Sequence, residues 1–335
     1  MIFLPRMRSS AGRAVTVALL AGVLIVVTLL SLGIGSFRLP PGEILRILLE
    51  RPEGTAGQIL FNIRLPRILL GALVGGALAV SGAILQGVMR NPLASPGIIG
   101  VSAGGGLAGI SVMLVFPQFS ALLMPAAFTG ALLTAVLVYL LAWKQGVNPV
   151  RLILAGVAVA GMLGAFSSAI LILNAERAGG VLDFAVGTLS ARGWPQIEKV
   201  QYYLAAGFAG ALLLAGKLNI LALGDEVAAS LGVRVERTRL LLLAVAALLA
   251  AAAVSVAGLL GFVGLIAPHI VRILIGQDNR WLLPGAAFFG AAMVVGCDTV
   301  GRMVMDPEEL PVGVIMSLLG PPFFLYLLRR HDYEA

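Results

Sequence analysis

The sequence predicts an all-α polytopic membrane protein of about ten transmembrane helices, and three observations carry that prediction. Of its 335 residues, 59% are hydrophobic and only 12% charged, with a mean hydropathy of +1.02. A soluble domain carries about a quarter charged residues, so soluble globular classes are excluded. Second, the apolar residues gather into ten runs near the ~20 residues that cross a bilayer as a helix. Third, the basic residues are biased to one side of those runs, as membrane orientation demands. The single cysteine, Cys297, lies in an apolar run, so neither a disulfide framework nor a cysteine-based metal site is available. The net charge of +7 is not gathered into one basic face, which argues against nucleic acid as a partner.

The first run, 15–35, follows Arg6, Arg8 and Arg13. It exceeds the ~7–15-residue core of a signal peptide and ends in Leu-Gly-Ile-Gly without an Ala-x-Ala site, so it reads as a retained span. Segment 36–66 is too polar to cross; Pro40-Pro41 followed by EILRILLE suggests a short helix on the outer surface. Further spans fall at 68–88, 97–116, 121–142 and 150–173. A second long outer region, 174–200, carries Glu176, Asp183, Arg192 and Trp194. Spans at 201–216, 240–260, 261–276, 282–300 and 312–328 complete the ten, in one domain over 1–335. Segment 261–276, GFVGLIAPHIVRILIG, is short and holds Pro268, His269 and Arg272, so a re-entrant segment is its alternative. Charge decides. With ten spans and the N-terminus inside, fourteen Lys and Arg lie inside and nine outside, and a re-entrant 261–276 would move Arg329 and Arg330 outside.

Small residues crowd the spans. Gly71-x-x-x-Gly75 with Gly82, and Gly100-x-x-x-Gly104, permit close helix approach, either within the chain or between copies. Asn91-Pro92 and Pro321-Pro322 break helix ends, and irregular backbone at membrane depth is tolerated when buried or lining a wet cavity. The spans hold almost no charge. Asp298 and His269 are the candidates for ion coupling, with a structural role as the alternative for each. The only other histidine is His331, so no metal site is expected. Gly216-Lys217 continues with Leu218 and has Ala211 in place of the first glycine, so no Walker motif exists.

Residues 217–239, KLNILALGDEVAASLGVRVERTR, form a polar island between two apolar runs. Asp225 can cap a helix start, Glu226 suits its first turn and Gly232 can close it. Val227, Ala228 and Leu231 are expected on one apolar face of this roughly two-turn helix. A short apolar-striped helix at a membrane surface suits a partner's groove, and an ordinary connecting loop is the alternative. With no internal power source visible, a pump of this kind takes its energy from a docked partner.

Four long motifs, in order, then carry a resemblance. IRLPRILLGALVGGALAVSGAILQGVMRNPLASPGIIGVSAGGGLAG (63–109), LALGDEVAASLGV (221–233), GFVGLIAPHIVRILIGQDNRWLLPGAAFFGA (261–291) and ELPVGVIMSLLGPPFFLYLL (309–328) resemble the FecCD-type permeases. These are the membrane subunits of ATP-binding-cassette importers for iron-siderophore, haem or vitamin B12. The resemblance implies a type II importer architecture: a homodimer around a central pathway in the bacterial or archaeal cytoplasmic membrane, both termini cytoplasmic. It implies two cytoplasmic ATPase subunits, which use ATP and Mg, and a periplasmic or lipid-anchored binding protein. The chain itself is then no enzyme and binds no cofactor; its other contact is membrane lipid.

Carried onto this chain, the resemblance places ATPase coupling at about 222–235, with Gly224, Asp225, Glu226, Ala228, Leu231 and Gly232 matching the motif. It places binding-protein docking on outer-surface arginines, Arg64, Arg67 and Arg302, whose carboxylate partners orient a docked protein. Interfacial anchoring is the alternative for Arg64 and Arg67. The cytoplasmic gate maps to Asn91, Pro92 and Leu93 and to Pro149 and Val150. There the chain reads Asn148-Pro149-Val150, where relatives can have small hydroxyl residues. A molybdate-type oxyanion importer is the alternative within the class. An ion-coupled secondary transporter is the alternative outside it, and would need an essential buried carboxylate.

Overall fold

The computed structural model of the protein describes residues 9–35, 39–50, 54–144, 146, 148–305 and 308–331. The orientation charges Arg6, Arg8, Arg38 and Arg51 lie outside these. Among the described residues the chain is helical and no strand occurs. The helices are α1 (Ser10–Gly33), α2 (Pro41–Glu50), α3 (Thr55–Gln58), α4 (Leu65–Met89), α5 (Val101–Leu114), α6 (Leu123–Ala142) and α7 (Pro149–Leu173). There follow α8 (Gly179–Val186), α9 (Trp194–Leu221), α10 (Asp225–Ser230), α11 (Val235–Ala257), α12 (Val263–Ile275), α13 (Asn279–Val304) and α14 (Val312–His331).

Each of the ten predicted runs has its helix: α1, α4 to α7, α9, and α11 to α14. Seven helical stretches are long and apolar enough to cross a membrane, and α5, α12 and α14 are shorter apolar helices. Two boundaries differ from expectation. A π-helical stretch, Ile59–Arg64, joins α3 to α4, giving one 35-residue helix from Thr55 to Met89. Segment 36–66 therefore contains the start of a span as well as the surface helix α2. Likewise α9 runs over 28 residues, beginning at Trp194 rather than 201.

Local chemistry sets the ends. Ser9 accepts from Gly12 N at the start of α1, Asn148 from Val150 N before α7, and Asp278 from Arg280 N before α13. Each satisfies a donor that a helix start leaves unpaired. On α2, Ile44 and Ile47 bury against Leu32, Leu60 and Ile68, while Leu45 and Leu49 stay exposed.

The interior is built from α4, α11 and α13, which are mostly buried, whereas α1 and α7 expose most of their surface. The glycine rows serve packing within the chain. A Cβ on Gly75 would lie 2.8 Å from the carbonyl carbon of Gly290, and one on Gly82 2.6 Å from Gly264 Cα. Gly104 meets Thr134 and Gly130, and Gly156 of α7 meets the carbonyl of Ile98. Backbones thus touch where van der Waals contact must replace the hydrophobic effect.

Helix α12 shows how a proline is tolerated at such a crossing. Pro268 has no N–H, so the carbonyl of Gly264, four residues earlier, loses its helical donor. Gln86 of α4 supplies one: its Nε2 donates to Gly264 O at 3.3 Å, and its Oε1 accepts from Arg272 Nη1 at 2.8 Å. The 13 residues of α12 rise only about 20 Å. Its beginning sits beside α8, where Leu259 N donates to Phe184 O, and its end leads through Gly276 to Asp278 at the start of α13. Helix α12 therefore runs from the end of the bundle beside α8 to the end beside Asp278.

Asp278 also fixes which ends lie together. It accepts from Arg13 of α1 at 3.2 Å and from Asn219 of α9 at 2.7 Å. The start of α1, the end of α9, α10 and the start of α13 therefore share one face of the bundle. The opposite face carries α2, α8 and the α13–α14 connection.

Candidate functional site

On the first of these faces, α10 is a six-residue helix standing between α9 and α11. Gly224 holds its N-cap position at φ +112°, a backbone conformation that favours glycine, and Gly232 leaves it at φ +78°. Asp225 is not the cap expected of it. It is the first helical residue, and its carboxylate turns inward, where Arg239 Nη2 donates to both oxygens at 2.8 Å. The expected single apolar face is also divided, because one residue step turns a helix by about 100°. Ala228 points inward and is fully buried. Val227 and Leu231, four apart, share the outward face, joined by Leu223, and Glu226 is exposed beside them. Leu231 is 59% exposed.

The two expected gate segments lie on this same face. Arg90 ends α4 in the left-handed conformation, φ 49°, its N–H closing on Gln86 O and Gly87 O. Asn91 then builds a tight turn, its Oδ1 accepting from Leu93 N at 2.9 Å and its carbonyl from Ala94 N at 3.1 Å. Pro92 and Leu93 are exposed. Pro149 opens α7 and Val150 stands exposed in its first turn. The 3-10 turn Pro96–Ile99 that follows the first segment packs on α7 through Gly156, so the two segments are mechanically joined.

On the opposite face the structure brings Arg64, Arg67 and Arg302 together, but not on the surface. All three are at most 7% exposed. Arg67 forms a fork with Asp298, Nε to Oδ2 and Nη2 to Oδ1 both at 2.9 Å, and gives Nη1 to Glu309 at 2.7 Å. Arg302 donates to Ser31 Oγ at 2.7 Å and lies 3.4 Å from Asp298 through its Nε. Arg64 donates to Leu32 O at 2.6 Å. The reason is charge burial: guanidinium groups at this depth must be matched by carboxylates and carbonyls. Asp298 is accordingly a structural counter-ion to two arginines. Glu309, whose side chain is 36% exposed, is the rim of the network and lies 3.4 Å from Ser190 Oγ. Nearby in the α8–α9 loop, burial holds the Arg192 guanidinium below its ordinary pKa, opposed by Asp183.

His269 meets Phe323 of α14 edge-on, with centroids 6.0 Å apart. Among the described residues no cluster of three metal-ligating side chains occurs. Two residues and one pairing escaped the sequence reading. Asp298, Arg67 and Arg302 were each seen, but not that they pair. Arg239 carried no local signal of its bond to Asp225, fourteen residues away. Gln86 did carry one: it is a lone amide in an apolar run, facing a proline-containing helix.

Residues 23–330 match the FecCD transport family. The chain belongs to that family. Among curated FecCD-type relatives, the Fe(3+)-citrate import system permease protein YfmE of Bacillus subtilis (strain 168) is 39% identical over 93% of this chain and 94% of its own. The cobalamin import system permease protein BtuC of Halobacterium salinarum is 46% identical over 85% and 76%. The hemin transport system permease protein HmuU of Yersinia pestis is 42% identical over 81% and 83%. A solved inward-facing metal-chelate type ABC transporter aligns at TM-score 0.82 and 30% identity, covering 94% of this chain and 98% of the other. This FecCD permease thus shares its helical architecture with a transporter of that type.

Proposed function

We propose that this permease is the membrane subunit of an ATP-driven importer for a metal chelate: an iron-siderophore, haem or cobalamin. Its relatives are permeases of iron-citrate, cobalamin and hemin import systems. Two copies form the passage, and the exposed faces of α7 and α14, with Leu154, Val157, Phe166, Leu318 and Leu325, supply apolar surface for the second copy and for lipid. The α10 face is cytoplasmic. Two ATPase subunits dock there and hold the ATP and Mg; this chain binds no cofactor of its own. A binding protein delivers cargo to the opposite face, at the rim of the arginine network. A carboxylate from that protein reaches Arg67 by competing with Glu309 for Nη1, which keeps docking reversible.

One observation carries the reading: α10 is clamped to the bundle yet turns Leu223, Val227 and Leu231 outward, as apolar anchors for a groove. Energy from an ion gradient finds no counterpart. Of the carboxylates on the described spans, Asp298 alone lies beyond the first two turns of its helix, and it is already matched by Arg67 and Arg302. Leu231→Asp, reconstituted with the cognate ATPase, tests the reading. The expected result is a folded permease that no longer retains the ATPase and no longer takes up cargo. Retained ATPase with ATP-driven uptake unchanged would overturn it.

A further inference from the structure

Asp225 is where three parts of the α10 face meet. Arg239 grips it from α11. This arginine is 2% exposed and also donates to Glu236 Oε1 at 2.5 Å, so its guanidinium is fixed in place. From the other side Arg90 approaches, its Nη2 3.7 Å from Asp225 Oδ1. Its Nη1 lies 3.4 Å from where a Cβ on Gly224 would sit. Arg90 is itself the left-handed residue that ends α4 and begins the Asn91–Leu93 turn. The second gate segment is reached through Glu236: a Cβ on Gly146, in the α6–α7 connection, would lie 3.3 Å from Glu236 Oε1.

We infer that Asp225 is a positioning residue, clasped by Arg239 and touched by Arg90, which ties motion of α10 to the turn at 90–93. The inference rests on the reading of α10 as the ATPase contact and of 91–93 as the gate. It differs from that reading in giving Asp225 no contact with the ATPase.

The two contacts differ in kind, and the difference suits a moving joint. In the Asp225–Arg239 pair the guanidinium is buried and loses one of its two carboxylates if Asp225 leaves, so this side holds firmly. Little else fixes the angle of α10. Ala228 is its buried residue, and Val233 N donates to Ala228 O where the helix ends. The Asp225–Arg90 contact is long, with both side chains nearly half exposed. Such a pair adds little stability, so it can open and re-form in each cycle. Its value is position. Arg90 sits in a conformation sparse for non-glycine residues, with its backbone already closed on α4. While the contact is closed, displacement of α10 therefore bears on the turn itself.

The test uses proteoliposomes holding the permease, its cognate ATPase and its binding protein, with ferric citrate, cobalamin and haemin supplied in parallel. ATPase retention, ATP hydrolysis and uptake are read together. Asp225→Asn and Arg90→Gln are expected to retain the ATPase and hydrolyse ATP while cargo moved per ATP falls about threefold, the scale a half-exposed ion pair supplies. Asp225→Glu restores most of that ratio. Because Arg90 is exposed, Arg90→Gln still reports if Asp225→Asn folds poorly. Loss of ATPase retention in Asp225→Asn would make Asp225 a docking residue and overturn the proposal. So would an unchanged ratio in Arg90→Gln. Wild-type uptake without any ATPase would instead overturn the functional reading beneath it.

Discussion

Replacing Asp298 by Asn separates the structural role of this carboxylate from a role in ion coupling. The side chain keeps its size, but the charge facing Arg67 and Arg302 is gone. One oxygen that accepted a 2.9 Å bond from Arg67 becomes an amide NH₂ pointed at a donor. Both arginines stay buried. Glu309 remains on Arg67, and Ser31 on Arg302, so compensation is partial. Breaking a buried pair by removing one partner costs about 3–5 kcal/mol, and the surviving contacts set the expected loss near the lower bound. The assay is the fraction of detergent-purified permease that still elutes as a folded species after graded heating. Glu50→Gln is the control, because Glu50 pairs with Arg46 on the exposed surface of α2 and should leave the midpoint unmoved. A coupling carboxylate predicts the reverse pattern, intact stability with uptake abolished. Equal midpoints for Asp298→Asn, Glu50→Gln and wild type would refute the counter-ion argument.

Gly75→Ala forces a Cβ to within 2.8 Å of the Gly290 carbonyl carbon, so α4 and α13 must part, at about 1–3 kcal/mol. Gly22→Ala on α1 meets nothing within 4 Å and should hold or raise the same heating midpoint. A lower midpoint for Gly22→Ala than for Gly75→Ala would contradict the packing. Gln86→Leu strands the Gly264 carbonyl and leaves Arg272 without its amide, costing about 1–3 kcal/mol for the unmade bond. Adding Pro268→Ala returns an N–H to that carbonyl. The double variant is therefore expected to be more stable than Gln86→Leu alone, as read by the same heating series.

The apolar helices were legible because they depend on composition: an apolar run of the right length needs no knowledge of its neighbours. The failures share a cause. Segment 36–66 looked too polar to cross, and the resemblance set Arg64 and Arg67 on the outer surface, whereas both are buried. Their neutralising partners are Asp298, 231 positions away from Arg67, and the carbonyl of Leu32 on another helix. Asp225 was read from its place before an apolar run, which is a sound signal for a cap. What moved its carboxylate inward was Arg239, and what filled the cap position was the positive φ of Gly224. The surface helix α2 was correctly read because its pattern is entirely local.

Polar atoms inside this bundle answer deficits created elsewhere in the chain. Pro268 removes a donor and Gln86 supplies it. Ser81 gives its hydroxyl to the carbonyl of Ala246, and Arg67 answers the charge of Asp298. Almost nothing polar in the described interior is left over to bind a coupling ion, because each such group is already committed to holding a helix in place. A bundle built this way can still be driven, but only where rigid helices meet a part that a partner can push. Among the described residues α10 meets that requirement: it is short, apolar outward and fixed at a single carboxylate. Force applied to Leu223, Val227 and Leu231 then passes inward at Asp225, firmly to the buried Arg239 of α11 and more loosely to the turn that closes α4.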